Sequence, residues 1–412
     1  MKKVALLFAI AIAALPVRAD FVVGNLKFKA TSDTTAACTG GSVNRTPLVI
    51  PETVYDEDED KEYTVTEVAD EAFSLWGSDG ARIDGTVTLP KTIKKLGNRA
   101  FYYQSISGIN LPEGLESIGE YCFDVNRNLT VVVLPASLKK LSNNAFNRCG
   151  LQQVFVMGTT PAEMGSGVFN DNAYLNIIVR PSLYDTYRSA WTEWSDYVTD
   201  IFPLFITGEV PPYGYWGPDG LRTPTARYNT YTCPVAYTMA KVPQLTAWTV
   251  DSVKDGNVYA SKIENSEVPA HEGVLLKSDE DTIFVQMTED QSITLGKKNM
   301  LVGTESNLHI DPSTDDAVNY VLNDSDFTKF DNSDEWRSYV PATRAYLPVP
   351  TALASDSALH VIFVSDTTTG ISSVKGNSVK VDNPYWYSLD GIRTLEPKHG
   401  IYIHNGKKVV VK

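Results

Sequence analysis

Gly165-Ser166-Gly167 sets a serine between glycines, the setting in which a strained turn can lift a hydroxyl out as a nucleophile. A nucleophile elbow needs each glycine two positions from the serine, and here they are adjacent, so that chemistry is not expected. His271-Glu272 would begin a zinc-binding helix only with a second His one turn on, and Leu275 stands there instead. The other histidines are scattered at 309, 360, 399 and 404. Asp56-Glu57-Asp58-Glu59-Asp60 has the charge for calcium but not the Gly and distal Glu of a calcium loop, and it reads as a solvated hairpin tip. Phosphate loops, dinucleotide fingerprints and Cys-x-x-Cys pairs do not occur. With 50 acids some carboxylates must lie close together, so glycoside hydrolysis stays open by composition alone. The residues therefore assign no catalytic, cofactor-binding or metal-binding role, and a non-enzyme is expected.

Contact chemistry is better represented. Tyr213, Tyr215 and Trp216 lie in the run Pro211-Pro212-Tyr213-Gly214-Tyr215-Trp216-Gly217-Pro218, a linker or long loop whose rings could stack on a sugar or pack at a domain junction. Cys122 and Cys149 read as core thiols. Cys38 and Cys233 could pair only if distant parts of the chain touch, and free buried cysteines are the expected state.

The frame that must position these residues begins with export. Lys2 and Lys3 precede an apolar run from Val4 to Leu15, and Val17-Arg18-Ala19 supplies a small-residue cleavage site, so residues 1–19 read as a signal peptide cleaved after Ala19. The apolar run is shorter than the ~20 residues of a spanning helix, and no later run reaches that length. Loss of residues 1–19 removes three positive charges from a net charge of −14, leaving −17. That balance makes nucleic acid a poor partner.

The centre of the chain repeats. Leu89-Pro90, Leu111-Pro112 and Leu134-Pro135 open three units 22 and 23 residues apart. Each continues with an aliphatic residue four places on (Ile93, Leu115, Leu138) and another seven places on (Leu96, Ile118, Leu141). Each closes with Ala100-Phe101, Cys122-Phe123 or Ala145-Phe146. Units this short cannot bury their own apolar residues, so they must stack as a solenoid, with a strand before each Leu-Pro forming a parallel ladder. A degenerate copy from Ile50 to Phe73 carries the acidic hairpin as an insertion, and a drifting copy runs from Val156 to Phe169. Phe21 to Ala30 is expected to cap the start as a hairpin. A helix from Pro181, with Leu183, Tyr187, Ala190 and Trp194 on one face, is expected to cap the end.

The Leu-Pro, Ile-Gly and Ala-Phe pattern, Thr64-Val65-Thr66 before Ala72-Phe73, and Val179-Arg180-Pro181-Ser182 with Tyr187 and Trp194 resemble the BspA-like leucine-rich repeat family over residues 20–200. Ser142 departs from that pattern at the Gly of the Ile-Gly pair. The resemblance implies a secreted or outer-surface protein that binds other proteins without catalysis, host extracellular or surface components among them. On that reading the variable turns would meet the partner, with Tyr102, Tyr103, Arg127 and Arg148 as anchors, since Tyr and Arg dominate interface energetics. A carbohydrate-binding or carbohydrate-active protein using Tyr213, Tyr215 and Trp216 is the alternative.

Residues 203–365 alternate in short strands, as around the Asp255-Gly256 turn, and are expected to form a β-sandwich-like domain. This region is similar to a β domain found beside such repeats in exported Bacteroidetes proteins. Residues 366–380 read as a flexible linker. Residues 381–412 resemble the C-terminal sorting segment of the type IX secretion pathway and could equally be a terminal hairpin turning at Asn405-Gly406. The expected fold class is thus mainly β: a leucine-rich repeat solenoid with a capping helix, a β-sandwich-like domain and a short C-terminal β segment.

Overall fold

The computed structural model describes residues 20–43, 45–75, 82–205, 228–280, 282–305, 308–331, 339–340, 343–355 and 357–364, and the backbone of the strands between 386 and 411. The chain divides into two compact units, residues 1–365 and 366–412. The fold is mainly β.

Each coil of the solenoid contributes to two parallel ladders. The ladder expected before each Leu-Pro is present as Leu48–Val49, Asp84–Thr88 and Ser105–Asn110, and then as Val131–Leu134, Gln153–Val156, Asn176–Ile178 and Val198–Thr199. A second ladder, which the spacing did not reveal, joins the two-residue strands Lys95–Leu96, Ser117–Ile118, Lys140–Leu141 and Glu163–Met164. Between the two, Pro90, Pro112 and Pro135 each accept a turn hydrogen bond from the aliphatic residue three places on. The N-terminal hairpin Phe21–Val23/Leu26–Ala30 extends the second ladder outward through Thr35–Gly41 and Lys61–Val68. The acidic insertion is the tip between Thr53–Asp56 and Lys61–Val68, with Glu57 to Asp60 exposed.

The closing Phe of each coil is buried, and the rings stack in one column. Phe73, Phe101, Phe123, Phe146 and Phe169 lie 5.7, 5.4, 5.0 and 5.8 Å apart between successive centroids, tilted by 5° to 16°. Trp194 meets Phe169 edge-on at 5.5 Å and ends the column. The capping helix is short: Tyr184–Ala190, flanked by 3-10 turns at Pro181–Leu183 and Thr192–Trp194. Its buried face is Tyr187, Trp191 and Trp194, while Ala190 is exposed. The expected face was off at Ala190 because the helix stops there and the 3-10 turn shifts the period. Tyr187 donates to the Gly158 carbonyl at 2.9 Å and Trp191 to that of Ala162 at 3.0 Å, satisfying carbonyls of the last coil.

A buried amide stands three residues after the Phe in most coils. Asn126 donates to the carbonyls of Phe101 and Phe123, both at 2.8 Å, and accepts from Ile106 N at 3.3 Å. Asn172 does the same for Phe146, Phe169 and Leu151 N. Gln104 donates to Phe73 O and accepts from Ile83 N. In the coil between Asn126 and Asn172 the slot holds Cys149, whose thiol reaches Phe123 O at 3.1 Å. Asn126→Ala is expected to cost about 1–3 kcal/mol for each stranded carbonyl. Cys149→Asn, which restores the commoner donor, should stay within about 1 kcal/mol of the parent. Denaturant melts of both variants compare the two; a larger loss from Cys149→Asn would mean the slot is set by volume and not by hydrogen bonding.

All four cysteines are free and buried, Cys38 and Cys233 included. Burial pushes the Cys38 thiol up to about 11 and the other three higher still, so they stay protonated and unreactive at neutral pH.

After the solenoid come a four-stranded sheet and a nine-stranded sheet. The first orders Ile201–Phe205, Thr282–Met287, Tyr237–Thr238 and Glu267–Val268, all antiparallel. The second runs from Tyr228–Tyr231 to Val302–Thr304, and bonds from Thr232 N to Thr343 O (3.0 Å) and from Arg344 to Thr230 O (3.1 Å) tie one end back toward the other. The expected boundary near residue 203 carries a continuous apolar core. Phe155 and Ile178, on the solenoid ladder, are buried with Phe202, Leu204, Tyr237 and Val285, and Val131, Val133 and Met157 pack against them. Strands alternate their side chains across the sheet, so Val132, Val154 and Ile177 fill the solenoid while their neighbours face the next sheets. Phe155 meets Phe202 edge-on at 5.2 Å, and Glu289 accepts from Ser182 N and Oγ at 2.9 and 2.7 Å at the rim.

In the second unit, Arg393–Thr394, Trp386–Ser388, Gly400–His404 and Lys407–Val411 form an antiparallel sheet in that order. The terminal hairpin is present; its turn residues, and the 366–380 linker, lie outside the described residues.

Candidate partner-binding surface

The turns that carry the Phe column are also hydrogen-bonded coil to coil. Phe101 N donates to Cys122 O at 2.9 Å, Phe123 N to Ala145 O at 2.8 Å and Phe146 N to Val168 O at 2.9 Å. Two places before the Phe the backbone is left-handed at Glu71, Arg99, Tyr121, Asn144 and Gly167, and two places after it at Tyr103, Val125, Arg148 and Asp171. The backbone therefore sets where each side chain leaves the coil, whatever that side chain is. This accounts for Gly165-Ser166-Gly167. Gly167 takes the left-handed position at φ 64°, and a Cβ on Gly165 would lie 2.6 Å from Asn143 N of the coil below. Those glycines serve stacking.

The four proposed anchors divide. Tyr103 is 47% exposed and Arg127 is exposed, and the Arg127 guanidinium makes no hydrogen bond or ion pair with another described residue. Tyr102 is buried at 7% exposure. Arg148 is exposed but committed: it grips the fully buried Asp124 through Nε at 3.0 Å and a second guanidinium nitrogen at 2.6 Å. Asn147 donates to the same carboxylate at 3.1 Å. Those hydrogen bonds raise the Arg148 pKa beyond its ordinary value. Asp124 and Asn126, which by variability look like free turn residues, are buried structural groups. A polar residue three places after Phe101, Phe123 and Phe169 was the available signal, and it needed the coil register to be visible.

Around Tyr103 and Arg127 the same flank carries more guanidinium groups. Arg82 lies over the Tyr103 ring at 5.9 Å, Arg45 N donates to Arg82 O at 2.8 Å, and Arg99 lies over Tyr121 at 5.3 Å while pairing with Glu71 at 3.5 Å. The neighbouring stripe over the second ladder is different. Lys95 pairs with Glu67 at 3.4 Å, Lys139 with Glu116 at 3.0 Å and Lys140 with Glu163 at 3.7 Å, so all of its described lysines but Lys94 are matched.

Elsewhere, His271 pairs with Glu305 and not with Glu272, and this hydrogen bond holds its pKa above the ordinary value. His360 pairs with Asp326 at 2.7 Å. Among the described residues no three His, Cys, Asp or Glu side chains converge on a metal position. Also among them, no helix is long and apolar enough to cross a membrane. Tyr213, Tyr215 and Trp216 lie outside the described residues.

Residues 62–179 match the model of the BspA type leucine-rich repeat region, in six copies. Among solved structures, a leucine-rich repeat protein from Bacteroides capillosus is 31% identical over 34% of this chain and all of its own, with a TM-score of 0.31. A leucine-rich repeat protein from Bacteroides ovatus is 23% identical over 40% of this chain and 42% of its own, with a TM-score of 0.34. A leucine rich cell surface protein from Faecalibacterium prausnitzii is 19% identical over 39% of this chain and 55% of its own, with a TM-score of 0.24. The chain thus spans the full length of the first and about half or less of the other two. No curated protein matches.

Proposed function

Because residues 62–179 of this chain belong to the BspA-type leucine-rich repeat family, we propose that it is a non-enzymatic, exported or cell-surface protein whose solenoid binds another protein, with adhesion to host components as its use. The observation that carries this reading is the exposure of Tyr103 and Arg127 on turns whose packing is supplied by other residues. A large ring and a guanidinium that the fold does not consume are what a protein interface uses as anchors. The mature protein should capture a partner from preparations of extracellular and surface proteins. Tyr103→Ala combined with Arg127→Ala should weaken that capture by roughly tenfold or more, with the melting temperature unchanged. Capture that survives the double variant but is lost with Trp216→Ala, accompanied by signals on a glycan array, would move the function to carbohydrate binding.

Residues 1–19 are proposed to direct export, and residues 381–412 to act as the sorting segment. Deleting Tyr385–Lys412 should leave a processed protein in the periplasm, read by cell fractionation and N-terminal sequencing. Normal surface amounts of the truncated protein would make the tail a structural element only.

A further inference from the structure

We propose that the partner surface selects an acidic polypeptide segment, through a track of arginines running along the turn flank from Arg45 through Arg82 to Arg127, with the Tyr103 ring set into it. This rests on the reading that the flank binds a protein, and goes further by naming the partner's chemistry. The first observation is sign. The chain carries a net charge of −14, yet this flank gathers Arg45, Arg82 and Arg127, all at least partly exposed and none in an ion pair among the described residues. Asp124 is fully buried and already gripped by Arg148 and Asn147. Asp84, two residues after Arg82, and Asp171 are exposed, and opposite them a partner would carry neutral residues. By contrast, on the lysine stripe over the second ladder Lys95, Lys139 and Lys140 are matched by Glu67, Glu116 and Glu163, which leaves Lys94 as its one unmatched cation among the described residues.

The second observation is geometry. Arg45 and Arg82 lie in hydrogen-bonded neighbouring coils, and Arg82 reaches the Tyr103 ring of the coil after. Stacked strands advance ~4.8 Å per coil, against ~3.3 Å per residue of extended chain, so an extended segment crossing the flank would bring carboxylates past successive guanidinium groups. A guanidinium fork matches a carboxylate in a planar, two-bond geometry, and the Tyr103 face can receive an apolar side chain between acids. A sulfated glycan is a poorer fit. Its dense uniform charge would bring sulfates against Asp84 and Asp171, whereas a peptide can place neutral residues there.

The test uses the mature full-length chain and short poly-L-glutamate as probe, with poly-L-lysine and heparin alongside, by fluorescence anisotropy at two salt concentrations. Poly-L-glutamate should bind, weaken roughly tenfold between 50 and 200 mM salt, and lose roughly tenfold or more of its affinity in the R45E/R82E/R127E variant, whose melting temperature should match the parent. Poly-L-lysine should not depend on these positions. Heparin binding without poly-L-glutamate binding, or poly-L-glutamate binding indifferent to the triple variant, would overturn the proposal. Should Tyr103→Ala/Arg127→Ala abolish capture of a natural partner that poly-L-glutamate does not compete with, the protein-binding reading stands and this assignment of chemistry falls.

Discussion

Phe123→Ala should cost about 3–5 kcal/mol, the range for emptying a large buried aromatic site, and lower the melting temperature by several degrees. The ring is fully buried at the centre of the column, 5.4 Å from Phe101 and 5.0 Å from Phe146. Its removal therefore opens a cavity shared by three coils and weakens both interfaces of its own coil, which in a stacked array is where most of the stability resides. Neighbours are poorly placed to collapse into the gap, because the backbone on either side is pinned by hydrogen bonds to the next coil. Tyr103→Ala is the matched control, in the neighbouring coil with a ring 47% exposed. Its effect should stay within about 1 kcal/mol, the scale of an exposed ring over a guanidinium. Thermal and denaturant melts of the pair decide the matter, and equal shifts would mean that the column does not carry the stability assigned to it.

The solenoid cut at residue 200 should not behave as an independent monomer. Removing the C-terminal sheets bares Phe155 and Ile178, together with Val131, Val133 and Met157 on the same ladder face. A contiguous apolar patch of that kind drives association, so residues 20–200 should self-associate with concentration in sedimentation experiments while residues 20–365 stay monodisperse. In the intact chain Phe155→Ala should cost about 3–5 kcal/mol. A monodisperse 20–200 fragment with the melting temperature of the longer chain would show that the shared core is energetically idle. The practical consequence is that binding by the solenoid is best measured with the adjoining sheets in place.

Much of this was legible in the residues because packing leaves periodic marks. The Leu-Pro and Ala-Phe spacing located the coils, and every Phe it named is buried. What escaped has a common physical cause. The second ladder uses two-residue strands, too short to show alternation. Nothing in the spacing singled out Phe155 and Ile178, since a strand buried on both faces reads as a continuous apolar run and does not say what covers its second face. The turns looked variable because Asp124 and Arg148 compensate each other, so a buried carboxylate and its partner passed as two free surface charges. Of the four anchors chosen from sequence, Tyr103 and Arg127 remain available, Tyr102 is buried, and Arg148 is engaged with Asp124.

The fusion of the last coils to the adjoining sheets makes length a one-ended variable. Coils from Val131 onward are held on their outer face by Phe202 and its neighbours, so an extra coil inserted there would slide Phe155 and Ile178 out of register with the surface they fit. The coils between Leu89 and Phe123 have no such tie, and their interfaces with one another are nearly interchangeable. Duplicating the unit from Leu89 to Asn110 should therefore be absorbed, carrying the N-terminal hairpin outward by ~4.8 Å and leaving the junction untouched. Reach can be tuned at the tip while the base stays fixed.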